Sequence, residues 1–252
     1  MLVVGVEAAP LGRIHYVPTF DGASVVREQI AYYRARAAEY DDWFLRRGRY
    51  DRGEDATRRW FEQVEEVRRA LRDLPLDAKN VLELAPGTGI WTEELFDRVA
   101  HLTAVDASQE MIALNRQRLG DRAEGITYIE SDLFEWRPPQ EFDAVVFCFW
   151  ISHVPVRLID EFLANVASML APGGTVFFLD ARKEHLSTAA DHVLPLGDDE
   201  VITRRLDDGR EFAIIKNFWS AAALRDKCAR AGLDVRVHET ADYFQFGSGT
   251  RN

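Results

Sequence analysis

The stretch Val81-Leu82-Glu83-Leu84-Ala85-Pro86-Gly87-Thr88-Gly89 constrains this chain more than any other. A short apolar run passes straight into a Gly-x-Gly turn that opens a helix. In that arrangement backbone N–H groups can meet a polar ligand that approaches too closely for side chains. Downstream, short apolar runs alternate with helix-length amphipathic segments, the pattern of repeated βαβ units and a mostly parallel sheet. The spacing predicts strands at Val81–Ala85, His101–Val105, Ile126–Glu130, Phe142–Phe149 and Thr175–Asp180. Helices are expected near Thr88–Val99, Ser108–Leu119 and Val156–Leu170, the last stopped by Pro172-Gly173-Gly174.

After Asp180 the alternation lapses. Val201–Leu206 and Glu211–Phe218 flank Asp207-Asp208-Gly209, a turn signal for a hairpin. A helix over Ser220–Ala231 ends at Gly232, and Asp234–Thr240 with Tyr243–Gly247 reads as an antiparallel terminal hairpin closing the sheet. Upstream, Val25–Ala70 is helical in character and rich in aromatics, with an interruption around Gly48–Gly53. The expected organisation is an N-terminal segment and helical cap over 1–75, then a Rossmann-like α/β core over 76–252 with an inserted hairpin at about 181–218.

Composition removes several classes of function. Over 252 residues, 31 Lys and Arg face 42 Asp and Glu, a formal charge of −11 that disfavours nucleic-acid binding. Cys148 and Cys228 are too few for a disulfide framework or a zinc site, so no metal is expected and both read as small buried residues of a reducing compartment. The apolar start Met1–Val6 is cut by Glu7 before it reaches signal-peptide length, and no run approaches the ~20 apolar residues of a membrane span. The expectation is a soluble cytoplasmic protein, with no membrane partner and with oligomeric state unspecified.

Strand ends carry the chemistry. In a doubly wound sheet ligands bind outside the carboxyl ends of the strands. Asp106, 17 residues after Gly89, ends the second strand, where a carboxylate can accept from both hydroxyls of a ribose; the alternative is a cap for the helix near Ser108. Asp132 follows the third strand, where an acid can accept from an exocyclic amine while Leu133 and Phe134 cover a purine face. The third glycine of a dinucleotide fingerprint is replaced by Thr92, which counts against a pyrophosphate cradle and against NAD.

Together, Glu83 to Gly89, Asp106 and Asp132-Leu133 resemble the successive motifs of class I S-adenosylmethionine-dependent methyltransferases, over about Tyr32 to Gly247. The resemblance implies S-adenosyl-L-methionine as cofactor and S-adenosyl-L-homocysteine as product. It implies that Glu83, Ala85, Gly87 and Gly89 lie against the methionine part and Asp106 binds the ribose. Asp132, Leu133 and Phe134 would contact adenine, with Ala107, Met111 and Phe149 in the same cleft. Pro86 stands where many members carry Gly or Cys. Tyr32 to Asp41, Phe149 to Pro155 and Arg204 to Arg210 are further similar to a subgroup of small-molecule methyltransferases of bacterial secondary metabolism that includes the dehydrophos phosphonate O-methyltransferase. That similarity implies O-methylation of a small acceptor, with anionic acceptors within its range.

Methyl transfer from a sulfonium is an in-line displacement, so the protein chiefly aligns the nucleophile and excludes water. An ionised acceptor needs cationic positioning; a hydroxyl or ammonium needs a base. His153, after the fourth strand, is the candidate base, its alternative being a hydrogen bond at the entrance to the next helix. Tyr33, Arg36 and Tyr40 share one helical face, which the resemblance brings over the cofactor. Trp150 is expected to pack over the cofactor or the acceptor, a plain core role being its alternative, and Tyr50 is a candidate for the acceptor wall. Arg204, Arg205 and Lys216 lie on the hairpin, and strand alternation sends the two arginines to opposite faces, so one of them can point inward to bind an oxyanion. Arg46, Arg47, Arg49 and Arg52 form a second basic run, expected to be mostly exposed. N-methylation of an amine or amino sugar and a non-catalytic cofactor-binding role are the rival readings.

Overall fold

The structure is a computed structural model that describes residues 22–77, 79–190, 192, 194 and 199–252. The reading of Met1–Val6 lies outside these residues. The described residues open with three α-helices, α1 (Gly22–Arg36), α2 (Tyr40–Phe44) and α3 (Glu54–Arg72). An α/β succession follows: β1 (Asn80–Leu84), α4 (Thr92–Phe96), β2 (His101–Asp106), α5 (Gln109–Leu119), β3 (Ile126–Glu130), β4 (Phe142–Cys148), α6 (Ile159–Met169) and β5 (Leu170–Ala181). A hairpin of β6 (Val201–Arg205) and β7 (Glu211–Ile215) precedes α7 (Ala221–Arg230), β8 (Leu233–Glu239) and β9 (Phe244–Arg251). The main sheet has the order β3-β2-β1-β4-β5-β9-β8, with β9 antiparallel to both neighbours. This is a doubly wound, Rossmann-like sheet whose order reverses between β1 and β4, and a ligand crevice belongs at that reversal.

Period-two alternation builds a core on each face. Val81, Ala144, Val146, Phe177 and Leu179 join Trp60, Val64, Val67 and Leu71 of α3. Leu82, Leu84, Val145, Phe147, Val176 and Phe178 join Phe162, Leu163 and Val166 of α6. Burying a large aliphatic or aromatic side chain contributes about 1.5–3 kcal/mol, so these two layers fix the strand ends that carry the site. Both cysteines are buried and free, and among the described residues no helix is long and apolar enough to cross a membrane.

Several boundaries differ from expectation for identifiable reasons. β1 and β4 end one residue early because Ala85 and Phe149 adopt φ of 51° and 57°, incompatible with a strand. The helix expected from Thr88 begins at Thr92, since Gly89 at φ 92° still belongs to the turn and its N–H donates to the Pro86 carbonyl. It ends at Phe96 rather than Val99. α6 begins at Ile159 after one 3₁₀ turn over Val156–Leu158 and ends at Met169. The stop at Pro172-Gly173-Gly174 is instead an irregularity at the start of β5, where the pairing jumps from Phe142 with Leu170 to Ala144 with Thr175. β9 runs on to Arg251 because β5 and β8 hold it from both sides. The inserted hairpin is a separate two-stranded sheet, ending at Ile215 rather than Phe218, and Ile202, Leu206 and Ile214 pack on Tyr32 of α1.

Candidate active site

Two cavities meet at the carboxyl edge of the sheet. The first, open to solvent, spans about 660 Å3 between the ends of β1, β2 and β4, the segment after β3, and α1 above them. Tyr33, Tyr40, Ala85, Gly87, Asp106, Ala107, Met111, Asp132, Leu133, Phe134, Phe149 and Trp150 all line it, together with Val26, Gln29, Ile30, Ser108 and Cys148. Its floor is the turn after β1. Gly87 at φ 56° and Gly89 at φ 92° need backbone regions closed to most side chains, and a Cβ on Gly89 would lie 2.9 Å from Cγ of Asn115. Asn115 cannot yield: its Nδ2 donates to Thr92 Oγ1 at 2.9 Å and to the Gly87 carbonyl at 3.4 Å, and its Oδ1 accepts from Tyr128.

Asp106 accepts at Oδ2 from Gly87 N–H (3.2 Å) and at Oδ1 from Ser108 N–H (2.9 Å). The cap of α5 is Ser108 itself, whose hydroxyl accepts from Met111 N–H, so the capping alternative for Asp106 does not apply. Burial pushes the Asp106 carboxyl up to about 6, against the lowering effect of those N–H donors. Asp132 Oδ1 accepts from Phe134 N–H at 2.9 Å, holding the Leu133-Phe134 wall. The lining thus carries two carboxylates and no cation among the described residues, a setting suited to a neutral nucleoside bearing a positive centre and hostile to a pyrophosphate.

The second cavity, about 630 Å3, has the opposite character. Arg36, Arg204 and Lys216 line it with His153, Tyr50 and four further aromatic side chains of the cap, and no carboxylate of the described residues does. Lys216 donates to Ser152 Oγ at 2.7 Å and pairs with the buried Asp180 at 3.4 Å. Arg36 lies over the Tyr40 ring at 4.9 Å and donates to Tyr50 Oη at 3.2 Å. Arg204 is buried, its Nη1 has no hydrogen-bond partner, and burial depresses its pKa. An uncompensated buried guanidinium costs several kcal/mol unless something pairs with it.

Tyr33, Tyr40 and Phe149 line both cavities and mark their junction. There Tyr33 Oη lies 2.8 Å from His153 Nε2, while His153 Nδ1 donates to the Ile215 carbonyl at 2.7 Å. Burial, with Lys216, Arg204 and Arg36 nearby, holds His153 well below its ordinary pKa. The imidazole is therefore neutral, with its proton on Nδ1, and Tyr33 is the donor to Nε2. The cap is clamped over this junction by polar contacts. Asp41 accepts from Thr88 Oγ1 at 2.5 Å and pairs with Arg118, and Arg34 donates to the Ala107 carbonyl at 3.0 Å.

Most sequence candidates converge, with reassignments. Arg36 lines the cationic cavity and not the nucleoside side, because the face it shares with Tyr33 and Tyr40 spans the junction. Trp150 lies on the nucleoside side, its ring 5.9 Å from that of Phe134. Arg205 is exposed on the outer face of β6, as alternation requires once Arg204 is inward. Gly89 and Glu83 line neither cavity; Glu83 is buried beneath the turn, its carboxyl pushed up to about 8 by burial. Arg46 is buried, not exposed, and donates to the carbonyls of Leu186 and Ser187, tying the cap to the segment after β5.

Sequence reasoning missed Gln29, Asp41, Asn115 and Asp180. Buried Gln29 accepts from Ile215 N–H and donates to the His153 carbonyl, joining α1 to the hairpin. Asp180 is the last residue but one of β5, close to the same edge at which Asp106 ends β2, and the strand-end rule singles it out; no local signal marks Gln29 or Asn115.

A Rossmann-like sheet with a carboxylate-lined nucleoside crevice and a separate capped pocket defines a nucleoside-cofactor group-transfer protein. Residues 81–174 match the family described as a methyltransferase domain. The ubiquinone biosynthesis O-methyltransferase of Aromatoleum aromaticum is 30% identical over 65% of this chain and 68% of its own length. An uncharacterized methyltransferase of Bacillus cytotoxicus is 28% identical over 56% and 65% respectively, so the chain spans about two thirds of the length of these curated relatives. Among solved structures, DhpI in complex with SAH superposes with a TM-score of 0.73 at 32% identity, covering 91% of this chain and 98% of that one. DhpI with SAM and HEP matches at the same score and identity. NodS, an N-methyltransferase from Bradyrhizobium japonicum, shares the fold at 17% identity and a TM-score of 0.58, covering 89% of this chain and 98% of that one. The chain belongs to the class I S-adenosylmethionine-dependent methyltransferases.

Proposed function

We propose that this protein transfers the methyl group of S-adenosylmethionine to an oxygen of a small anionic acceptor, of the kind methylated in bacterial secondary metabolism. The observation that carries the reading is Arg204, a buried guanidinium with an unpartnered nitrogen in a cavity lined by two further cations. An oxyanion would supply the missing counter-charge and accept two parallel N–H bonds. The acidic crevice beside it would hold the adenosyl sulfonium, with Asp106 on the ribose and Asp132, Leu133 and Phe134 around adenine. Donor and acceptor then bring opposite charges to the Tyr33–Tyr40–Phe149 junction, and neither cavity suits the other's ligand.

An ionised acceptor brings its own nucleophilic lone pair, so no base is required. The protein's work is to orient the oxyanion, exclude water and keep the donor's positive charge near Asp106 and Asp132. An ammonium acceptor would meet Arg36, Arg204 and Lys216, which disfavours the N-methyl reading. Incubating the protein with radiolabelled S-adenosylmethionine and matched panels of phosphonates, carboxylates, phenols and amines tests this. Label is expected on oxyanions; transfer confined to amines would reject the proposal.

A further inference from the structure

At the junction the hydrogen-bond directions of Tyr33 and His153 are dictated by their neighbours. The Ile215 carbonyl can only accept, so it fixes the proton of His153 on Nδ1. Nε2 is left as an acceptor, 2.8 Å from Tyr33 Oη. The rings meet edge to face, with centroids 5.4 Å apart. The phenol proton is thereby committed to His153, and the oxygen has only lone pairs to offer whatever else occupies the junction. An oxygen in that state repels an acceptor oxyanion and attracts a positive centre.

We infer that Tyr33 is a methyl-positioning residue, whose phenol oxygen accepts C–H hydrogen bonds from the activated methyl group, and that His153 is the positioning residue that enforces this polarity. The inference rests on the cofactor reading of the acidic crevice. Carbon bound to a sulfonium is electron-poor, which makes its C–H groups better donors than ordinary ones. During transfer a lone pair of the acceptor oxygen forms the C–O bond while the S–C bond breaks and its electrons remain on sulfur. No proton moves, and Tyr33 keeps its hydrogen bond to His153 throughout. Gln29 supports the device by holding both the His153 carbonyl and Ile215 N–H from α1, so the orientation of the imidazole depends on α1 being seated.

The test needs no acceptor, because S-adenosylhomocysteine lacks both the methyl group and the positive charge. Calorimetric affinities for S-adenosylmethionine and S-adenosylhomocysteine are compared in the wild-type protein, Tyr33→Phe, His153→Leu and His153→Gln. Tyr33→Phe is expected to lower the preference for the methylated form about two- to fivefold, with S-adenosylhomocysteine affinity held within about twofold. His153→Leu should lower the same preference. His153→Gln, whose Oε1 can accept from Tyr33 while its Nε2 donates to Ile215, should restore it. An unchanged preference in Tyr33→Phe, or equal loss of both ligands, overturns the inference; an unchanged preference in His153→Leu overturns the role of His153. Asp106→Ala separates the layers. Unaltered affinities there would bring down the crevice reading and this inference together, whereas weakened binding in Asp106→Ala beside an unmoved preference in Tyr33→Phe removes this inference alone.

Discussion

Replacing Arg204 by Met keeps an unbranched apolar stem and removes the guanidinium with its charge. In the free protein Arg204 is 7% exposed, has an unpartnered Nη1, and forms no ion pair with a carboxylate among the described residues. Truncating one partner of a buried, hydrogen-bonded charge pair costs about 2–5 kcal/mol. Taking 2–4 kcal/mol, acceptor affinity should fall between roughly 30- and 1,000-fold. The free protein should behave in the opposite sense. Even paired buried ions are often replaced by well-packed apolar side chains with a neutral or stabilising effect of about 1–4 kcal/mol, and at this chain length each kcal/mol moves Tm by about 2–4 °C. Steady-state KM for the best acceptor, calorimetric cofactor affinity and a thermal melt, run with and without inorganic phosphate, measure all three effects. Expected are a raised KM, unchanged cofactor affinity, an equal or higher Tm, and loss of any stabilisation by phosphate. An unchanged KM, or a Tm lowered by more than about 5 °C with cofactor affinity lost as well, would show Arg204 to be structural and refute the reasoning.

Asp106→Asn should weaken cofactor binding roughly 10- to 100-fold, since hydrogen bonds to charged groups are worth about 1.5–3 kcal/mol. With the wild-type carboxyl near 6, cofactor affinity should rise with pH to a plateau above about 6, and calorimetry from pH 5 to 8 should find that dependence flattened in the variant. For Glu83, whose folded pKa of about 8 exceeds its unfolded value, the folded protein retains a proton that the unfolded chain releases. Its contribution to stability therefore declines as pH climbs from about 4.5 to about 8, by at most about 1.4 kcal/mol per pH unit; denaturant titrations should find a shallower decline in Glu83→Gln. Gly89→Ala should cost about 1–3 kcal/mol, because the new Cβ meets an Asn115 held by three hydrogen bonds at a φ of 92°. Equal stability of that variant in urea melts would contradict the steric argument.

Local rules made much of this site legible. The Gly87–Gly89 turn, Asp106 and Asp132 sit at strand ends where period and turn chemistry alone place them, and Gly87, Asp106 and Asp132 line one crevice. Alternation along β6 decided that only one of Arg204 and Arg205 faces inward. It could not say which, because that depends on α1 packing against the hairpin through Tyr32, Ile202 and Ile214. The sequence brings Arg36 and Trp150 to the site, but which of the two cavities each lines is a tertiary fact that no local pattern carries. Arg46 lies in a run of arginines that composition reads as solvated, yet the free carbonyls of Leu186 and Ser187 bury it. Asn115 and Gln29 act through hydrogen bonds to residues 13 to 186 positions away, pairings that no local pattern announces. The early ends of β1 and β4 have a related cause. Ala85 and Phe149 hold unfavourable backbone angles at the crevice, where strain of this kind tends to collect.

The opposed charge of the two cavities is the claim on which the functional account stands, and a crystal structure with S-adenosylhomocysteine and inorganic phosphate bound together tests it most directly. The account predicts ribose hydroxyls on Asp106, adenine against Leu133 and Phe134, sulfur at the Tyr33–Phe149 junction, and phosphate on Arg204 with Arg36 or Lys216. Adenosine seated among the arginines, or phosphate drawn into the Asp106–Asp132 crevice, would contradict it.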